Sequence, residues 1–80
     1  MIEVKIPWTN TSVMEELVLH GVPIPHLRKE VEIWLVDHSR AAYSVHSWTI
    51  FDRECARFIN MGVRFCFDDR EDALLFRLNW

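Results

Sequence analysis

Histidine, cysteine and carboxylate side chains are the groups of this chain that could do chemistry. His38 and His46 stand on either side of a predicted turn, so they could face each other across a hairpin. Two imidazoles bind a metal ion only with a further ligand, for which Asp37 and Cys55 are the nearest candidates. The spacing matches no known metal-binding pattern, and polar tips on a half-exposed hairpin explain both histidines better.

A cysteine nucleophile activated by histidine is formally available, because either Cys55 or Cys66 could pair with His46. The chain has only two glycines, which leaves little backbone for an oxyanion loop. Phosphate-binding loops, dinucleotide-binding glycine motifs, H-E-x-x-H and C-x-x-C are all absent from the sequence. We therefore expect a non-enzymatic protein that needs neither a cofactor nor a metal.

Four acidic residues are concentrated near the C-terminus: Asp68, Asp69, Glu71 and Asp72. Asp68 stands three residues before Glu71 and Asp69 three before Asp72, so either aspartate could cap a following helix. Capping explains these carboxylates more simply than paired acid–base catalysis. If they share a face with the other acidic side chains, they could instead engage a basic surface of a protein partner.

Eighty residues predict one domain, residues 1–80, near the lower size limit for a self-sufficient core. Four tryptophans and five phenylalanines are a heavy aromatic load, which can fill a small core or mark a binding surface. Core positions are favoured for most of them, with Trp8 and Trp80 as the expected exceptions. A formal net charge of −3 is too balanced for non-specific nucleic-acid binding, which needs a basic face.

Nothing in the sequence predicts a membrane or secretory segment. No apolar run approaches the length of about 18 residues that spans a bilayer, and the N-terminus lacks a signal-peptide core. We expect a cytoplasmic protein with no membrane partner. Two cysteines do not make a disulfide framework, so Cys55 and Cys66 are expected to be reduced and at least partly buried.

In the N-terminal third, alternating apolar residues predict a strand over 1–7, ended by Pro7. Ser12 stands three residues before Glu15, which is the capping-box spacing, so a helix is expected over 13–20 with Gly21 as its stop. The two prolines of residues 22–25 then predict an extended connector.

The stretch 26–38 permits two interpretations. Apolar residues recur at helical spacing, but VEIWLV also alternates and is rich in strand formers. We favour a short turn or helix at 25–30 and a strand at 31–37, with a helix throughout as the alternative. A hairpin turn at 37–42 and a returning strand at 43–51 follow.

Two helices and one strand complete the chain. Asp52 and Gly62 predict the start and the stop of a helix over 52–62. Strict alternation predicts a strand over 63–67, and a helix capped by Asp68 or Asp69 runs on through Leu78.

This order predicts an α+β fold, a ferredoxin-like βαββαβ sandwich with an additional C-terminal helix. That helix would cover the second sheet face, extend an edge or bind a partner. If 26–38 is helical, the alternative is a smaller α+β domain with a three-stranded antiparallel sheet.

The C-terminal segment fits F-x-D-x-x-D-A-x-x-F-x-L-x-W. The pattern is carried by Phe67, Asp69, Asp72, Ala73, Phe76, Leu78 and Trp80. It resembles the C-terminal signature of small bacteriophage-encoded proteins, mostly of unknown function. The resemblance implies a cytoplasmic protein made in an infected bacterium, and it brings no catalytic residues.

These observations favour a protein-interaction module, expected to bind a host protein, as an inhibitor or counter-defence protein does, or to self-associate. The expected contact residues are Trp8, Trp48, Trp80, Asp68, Asp69, Glu71 and Asp72. The alternative is a small nucleic-acid-binding module with an RRM-like sheet. It is disfavoured because the chain lacks the RNP1 pattern and a basic charge.

Overall fold

The computed structural model describes all residues 1–80 and confirms an α+β fold, with strands that pair antiparallel. The order is β1 (Ile2–Pro7), β2 (Met14–Leu19), β3 (Val22–Leu27), α1 (Lys29–His38), β4 (Tyr43–Asp52), β5 (Arg57–Phe67) and α2 (Arg70–Asn79). This βββαββα order differs from the expected βαββαβ order. The central sheet has three strands in the order β1-β5-β4, and β2 and β3 form a separate hairpin.

The two faces of the central sheet differ in character. Val4 of β1 and Val45 of β4 both stand opposite Phe65 of β5, and this row belongs to the face we call the front. The other face, the back, carries the alternating residues Glu3, Lys5, Arg64, Cys66, Ser44, His46 and Trp48. Such alternation is expected for an antiparallel sheet that has only one covered face.

Both helices pack on the front face, where the core lies. α1 buries Val31 and Leu35, and α2 buries Ala73 and Phe76. The Phe76 ring meets the Phe65 ring edge-on, with 4.6 Å between their centroids. The predicted C-terminal helix is therefore confirmed, and it is part of the core rather than an addition to it. Neither helix is long and apolar enough to cross a membrane.

The helix expected over 13–20 is wrong, because this stretch is β2 of a hairpin. His20 and Gly21 have φ values of 51° and 78°, so both adopt the left-handed conformation that a two-residue type I′ turn requires. The expected connector at 22–25 is β3. Its prolines stand two residues apart, so their missing N–H groups can point away from β2 and leave the ladder intact.

The strand expected over 31–37 is also wrong. Residues 29–38 form α1, as the alternative interpretation held, because Val31 and Leu35 lie one helical turn apart on the buried face. Ile33 and Val36 point outward. The hairpin expected around 37–42 is consequently absent, and β4 pairs with β5 instead.

The helix expected over 52–62 is wrong for a different reason. The Asp52 side chain does accept a hydrogen bond from the Glu54 amide, at 3.0 Å, but the chain then turns back instead of continuing as a helix. Arg57 opens β5, which is longer than the predicted 63–67 strand. Gly62 is not a helix stop, since it lies inside β5 opposite Pro7 of β1 and Trp48 of β4.

Asp72 fastens α2 to the loop that follows α1. It is 4% exposed, and its Oδ2 accepts hydrogen bonds from the Arg40 and Ala41 amides at 2.9 and 3.0 Å. Asp69 caps the helix by accepting from the Glu71 amide. Of the two candidate caps, Asp69 is therefore the one used, and Asp72 holds the loop at the end of the sheet.

Replacing Asp72 with alanine should lower the free energy of unfolding by about 2 kcal/mol, because two backbone donors lose their acceptor. Urea unfolding followed by circular dichroism measures this change. Glu71→Ala is the matched control, since Glu71 only forms an exposed 3.0 Å ion pair with Arg40. Equal effects of the two substitutions would contradict the role assigned to Asp72.

Gly62 permits the close approach of β1 to β5. A Cβ atom at this position would overlap the Ile6 carbonyl oxygen and lie 2.8 Å from the Pro7 Cα. Both are backbone atoms, which cannot move aside without separating the two strands.

Gly62→Ala should therefore destabilise the protein by at least about 2 kcal/mol, the usual cost of overpacking a close contact. Gly21→Asn is the control, because no atom lies within 4 Å of a Cβ there and asparagine tolerates a positive φ. Thermal unfolding should show a large fall in Tm for the first variant only. A wild-type Tm for Gly62→Ala would refute the close approach.

Candidate interaction surface

The structure does not bring His38 and His46 together. His38 ends α1, with its Nδ1 2.9 Å from the Trp34 carbonyl oxygen, whereas His46 lies on β4 beside Ser44. The sequence allowed the two histidines to face each other across a hairpin, but in the structure they lie on different elements. Cys55 is exposed in the β4–β5 turn, contrary to expectation, and Cys66 is buried, as expected. No group of three or more ligand-type side chains is gathered where it could hold a metal ion.

The predicted contact residues are divided between the two ends of β1. Phe67, which precedes the acidic residues, pairs with Ile2, whereas Trp48 stands in the same row as Pro7 at the other end. The span from Ile2 to Pro7 is about 17 Å in an extended strand. The tryptophans and the acidic residues therefore do not form one surface.

Most of the predicted contact residues are engaged within the chain. Trp8 donates from Nε1 to the Asn60 carbonyl, and both Trp8 and Trp80 pack against the core. Both are partly buried at the edge of the core and are not among its nine buried residues. Asp69 and Asp72 serve as cap and anchor, while Asp68 and Glu71 remain exposed.

A cluster of polar side chains joins the β2–β3 hairpin to the loop before it. The Glu15 carboxylate lies 3.1 Å from His26 Nε2 and 3.3 Å from Arg28 Nη1. Arg28 also donates from Nε to the Thr11 carbonyl at 2.7 Å. These groups satisfy one another at the rim of a groove of about 470 Å³ that also contacts Trp8. The cluster thus fixes the hairpin and leaves no free group for chemistry.

Exposed apolar surface is the feature of the molecule that packing leaves unexplained. Only 12 of 80 residues are buried, although half of the residues are hydrophobic. The accessible surface is 5875 Å². A folded chain of this mass is expected to expose about 5,100 Å², so the excess is roughly 800 Å². This excess reflects apolar side chains that no other part of the chain covers.

The largest exposed aromatic surface lies on residues 49–60, which we call the β4–β5 arm. It begins at a bulge, where Trp48 pairs with Gly62 but Thr49 pairs with Asn60. Beyond the bulge, Phe51 and Phe58 stand opposite each other with ring centroids 5.2 Å apart. They are 53% and 74% exposed, so neither helix covers them. Ile50, on the other face of the arm, is 45% exposed.

Sequence reasoning missed the arm because Asp52 and Gly62 were interpreted as the two ends of a helix. The signal that could have revealed it is the density of β-branched and aromatic residues on both sides of the turn, in YSVHSWTIF and FINMGVRF. Two such runs around a short polar segment are typical of a hairpin.

The back face supports nucleic-acid binding less well than the arm supports protein binding. Lys5 Nζ lies 5.5 Å from the centroid of the Trp48 ring, and Arg64 lies in the same sheet row as Lys5. An aromatic ring flanked by cations is used for stacking single-stranded bases. Here, however, Glu3 lies 3.7 Å from Lys5 Nζ and 3.6 Å from an Arg64 nitrogen, which offsets both charges.

No protein-family model, curated protein or solved structure matches this chain. The candidate surface is therefore defined by the residues of this chain alone, without a related protein as a guide. It is an exposed aromatic pair on a two-stranded arm, with Arg53, Glu54 and Cys55 in the turn at its tip.

Because the Phe58 ring is mostly in water, Phe58→Ser should change the free energy of unfolding by no more than about 1 kcal/mol, the usual limit for one cross-strand pair. Phe65→Ala, in the core, should cost about 3–5 kcal/mol. Urea unfolding of both variants tests whether the arm lies outside the core. A loss at Phe58 as large as that at Phe65 would contradict this assignment.

Proposed function

We propose that this chain is a non-enzymatic protein-interaction module whose contact surface is the β4–β5 arm. The observation that carries the proposal is the exposed pair of Phe51 and Phe58. Burying the exposed parts of both rings is worth about 3 kcal/mol, which the isolated chain leaves unused. Exposed aromatic residues of this kind are typical of the centres of protein interfaces.

The arm supports this function better than the residues singled out from the sequence. Trp8 and Trp80 pack against the core, and Asp69 and Asp72 bind backbone amides within the chain. These four side chains therefore already have roles inside the fold. Phe51 and Phe58, in contrast, can be covered with no loss inside the fold.

The proposal admits two kinds of partner. The C-terminal resemblance to phage proteins makes a host protein one candidate, with inhibition of a host enzyme or defence protein as the role. The other candidate is a second copy of this chain. Both would use the same apolar arm, so one experiment can test the surface before the partner is known.

Photo-crosslinking from the arm tests the function. A photoreactive benzoyl-phenylalanine replaces Phe51 in the chain produced in bacterial cells, and irradiation should give covalent adducts at this position. Ile33 is the matched control, because it lies on the outer side of α1 and is 51% exposed, against 53% for Phe51. Mass spectrometry of the adducts then distinguishes another protein from a second copy.

Adducts from position 51 that clearly exceed those from position 33 are the expected result. Equal yields would show that the arm is no more a contact surface than α1 is. The absence of adducts at position 51 would overturn the proposed function.

A further inference from the structure

The outer edge of β4 differs from the other free strand edges of this molecule, because β4 lacks charged residues and prolines from Tyr43 to Phe51. Unpaired edges of natural sheets are usually blocked by charged residues or prolines. The other three strands with a free edge carry such residues, namely Glu3, Lys5 and Pro7 in β1, Glu15 and Glu16 in β2, and Pro23 and Pro25 in β3.

We propose that the β4 edge pairs antiparallel with the β4 edge of a second copy, which joins the two central sheets into one six-stranded sheet. The inference rests on the proposed function, and it names the partner. It makes Phe51 a contact between copies of the chain. The two helical layers then lie on the same side of the joined sheet.

Symmetry restricts the register of this pairing. Two identical antiparallel strands lie side by side only about a two-fold axis perpendicular to the sheet, so one residue stands opposite its own copy. With the axis at Ser47, residues 43–51 of both copies are paired. Ser47 has the smallest side chain among the exposed front-face residues of β4. It is therefore suited to the axis, where a side chain meets its own copy.

The same register matches the aromatic residues. Phe51 comes to lie opposite Tyr43 of the second copy, on the front face. Within each copy, Phe51 already contacts Phe58 and Tyr43 already contacts Phe67, with centroid distances of 5.2 and 6.3 Å. The dimer therefore joins two existing pairs into a row of four rings. Val45, which is 41% exposed, meets Thr49 of the second copy.

Charge does not oppose pairing with a second copy. In this register Asp52 lies opposite Ala42 of the second copy, two residues from Arg40, whose guanidinium is paired with Glu71 at 3.0 Å. The end of the arm is neutral, with Asp52 and Glu54 offset by Arg53 and Arg57. The surface excess of roughly 800 Å², which is summed over the whole chain, is comparable in size with one side of a standard interface.

Sedimentation of the purified chain over a range of micromolar concentrations tests the pairing. Wild type should sediment with twice the mass of the chain. Ser47→Lys and Ser47→Glu should each be monomeric, because two like charges then meet at the axis. Mixing the two variants should restore the dimer, which also shows that both are folded. Ser12→Lys, at an exposed serine outside β4, is the matched control and should remain dimeric.

The register has its own test. In a Cys55→Ser background, Ser47→Cys should form a disulfide between copies under mild oxidation, because the two thiols face each other at the axis. Failure of this cross-link would overturn the register, and a dimeric Ser47→Lys variant would overturn pairing through β4. A monomeric wild type that still gives Phe51 adducts with another protein would refute self-pairing but leave the proposed function standing.

Discussion

The contact of Phe76 with Phe65 and Phe67 is the interaction on which the fold depends. Phe76 meets both rings edge-on, at centroid distances of 4.6 and 5.6 Å, and Trp34 of α1 lies 6.0 Å from the same ring. One side chain of α2 thus joins the central strand, its own helix and α1. In so small a chain, aromatic rings supply the buried area that a larger domain would obtain from many aliphatic residues.

The concentration of packing on one sheet face explains the exposure elsewhere. Two helices of ten residues cover the front face near Phe65, but they do not extend over the β4–β5 arm. Asp72 and Gly62 fix this arrangement, since one ties α2 to the loop before β4 and the other sets β1 against β5. The arm is left as a hairpin with aromatic residues and no core to receive them.

The β4–β5 arm has a free strand edge that differs in composition from the free edges of the other strands. Prolines and charges protect the remaining edges, whereas β4 offers its backbone and the Phe51 side chain together. Backbone pairing supplies affinity, and the side chains that stand opposite each other supply specificity. A chain with few buried residues can in this way gain stability and function from the same contact.

Local patterns by themselves determined the α+β class, β1, the strand from Tyr43 and the capped helix that begins after Asp69. Each has a strong signal within its own residues, such as alternation or a cap followed by apolar residues at helical spacing. Tertiary structure decided the rest. VEIWLV became a helix because Val31 and Leu35 reach the core together, and the stretches after Ser12 and Asp52 became strands because each had a partner strand to pair with. Capping signals are satisfied equally well by tight turns. Only pairing partners that are distant in the sequence could therefore decide between helix and hairpin. The same choice decided where the exposed arm lies.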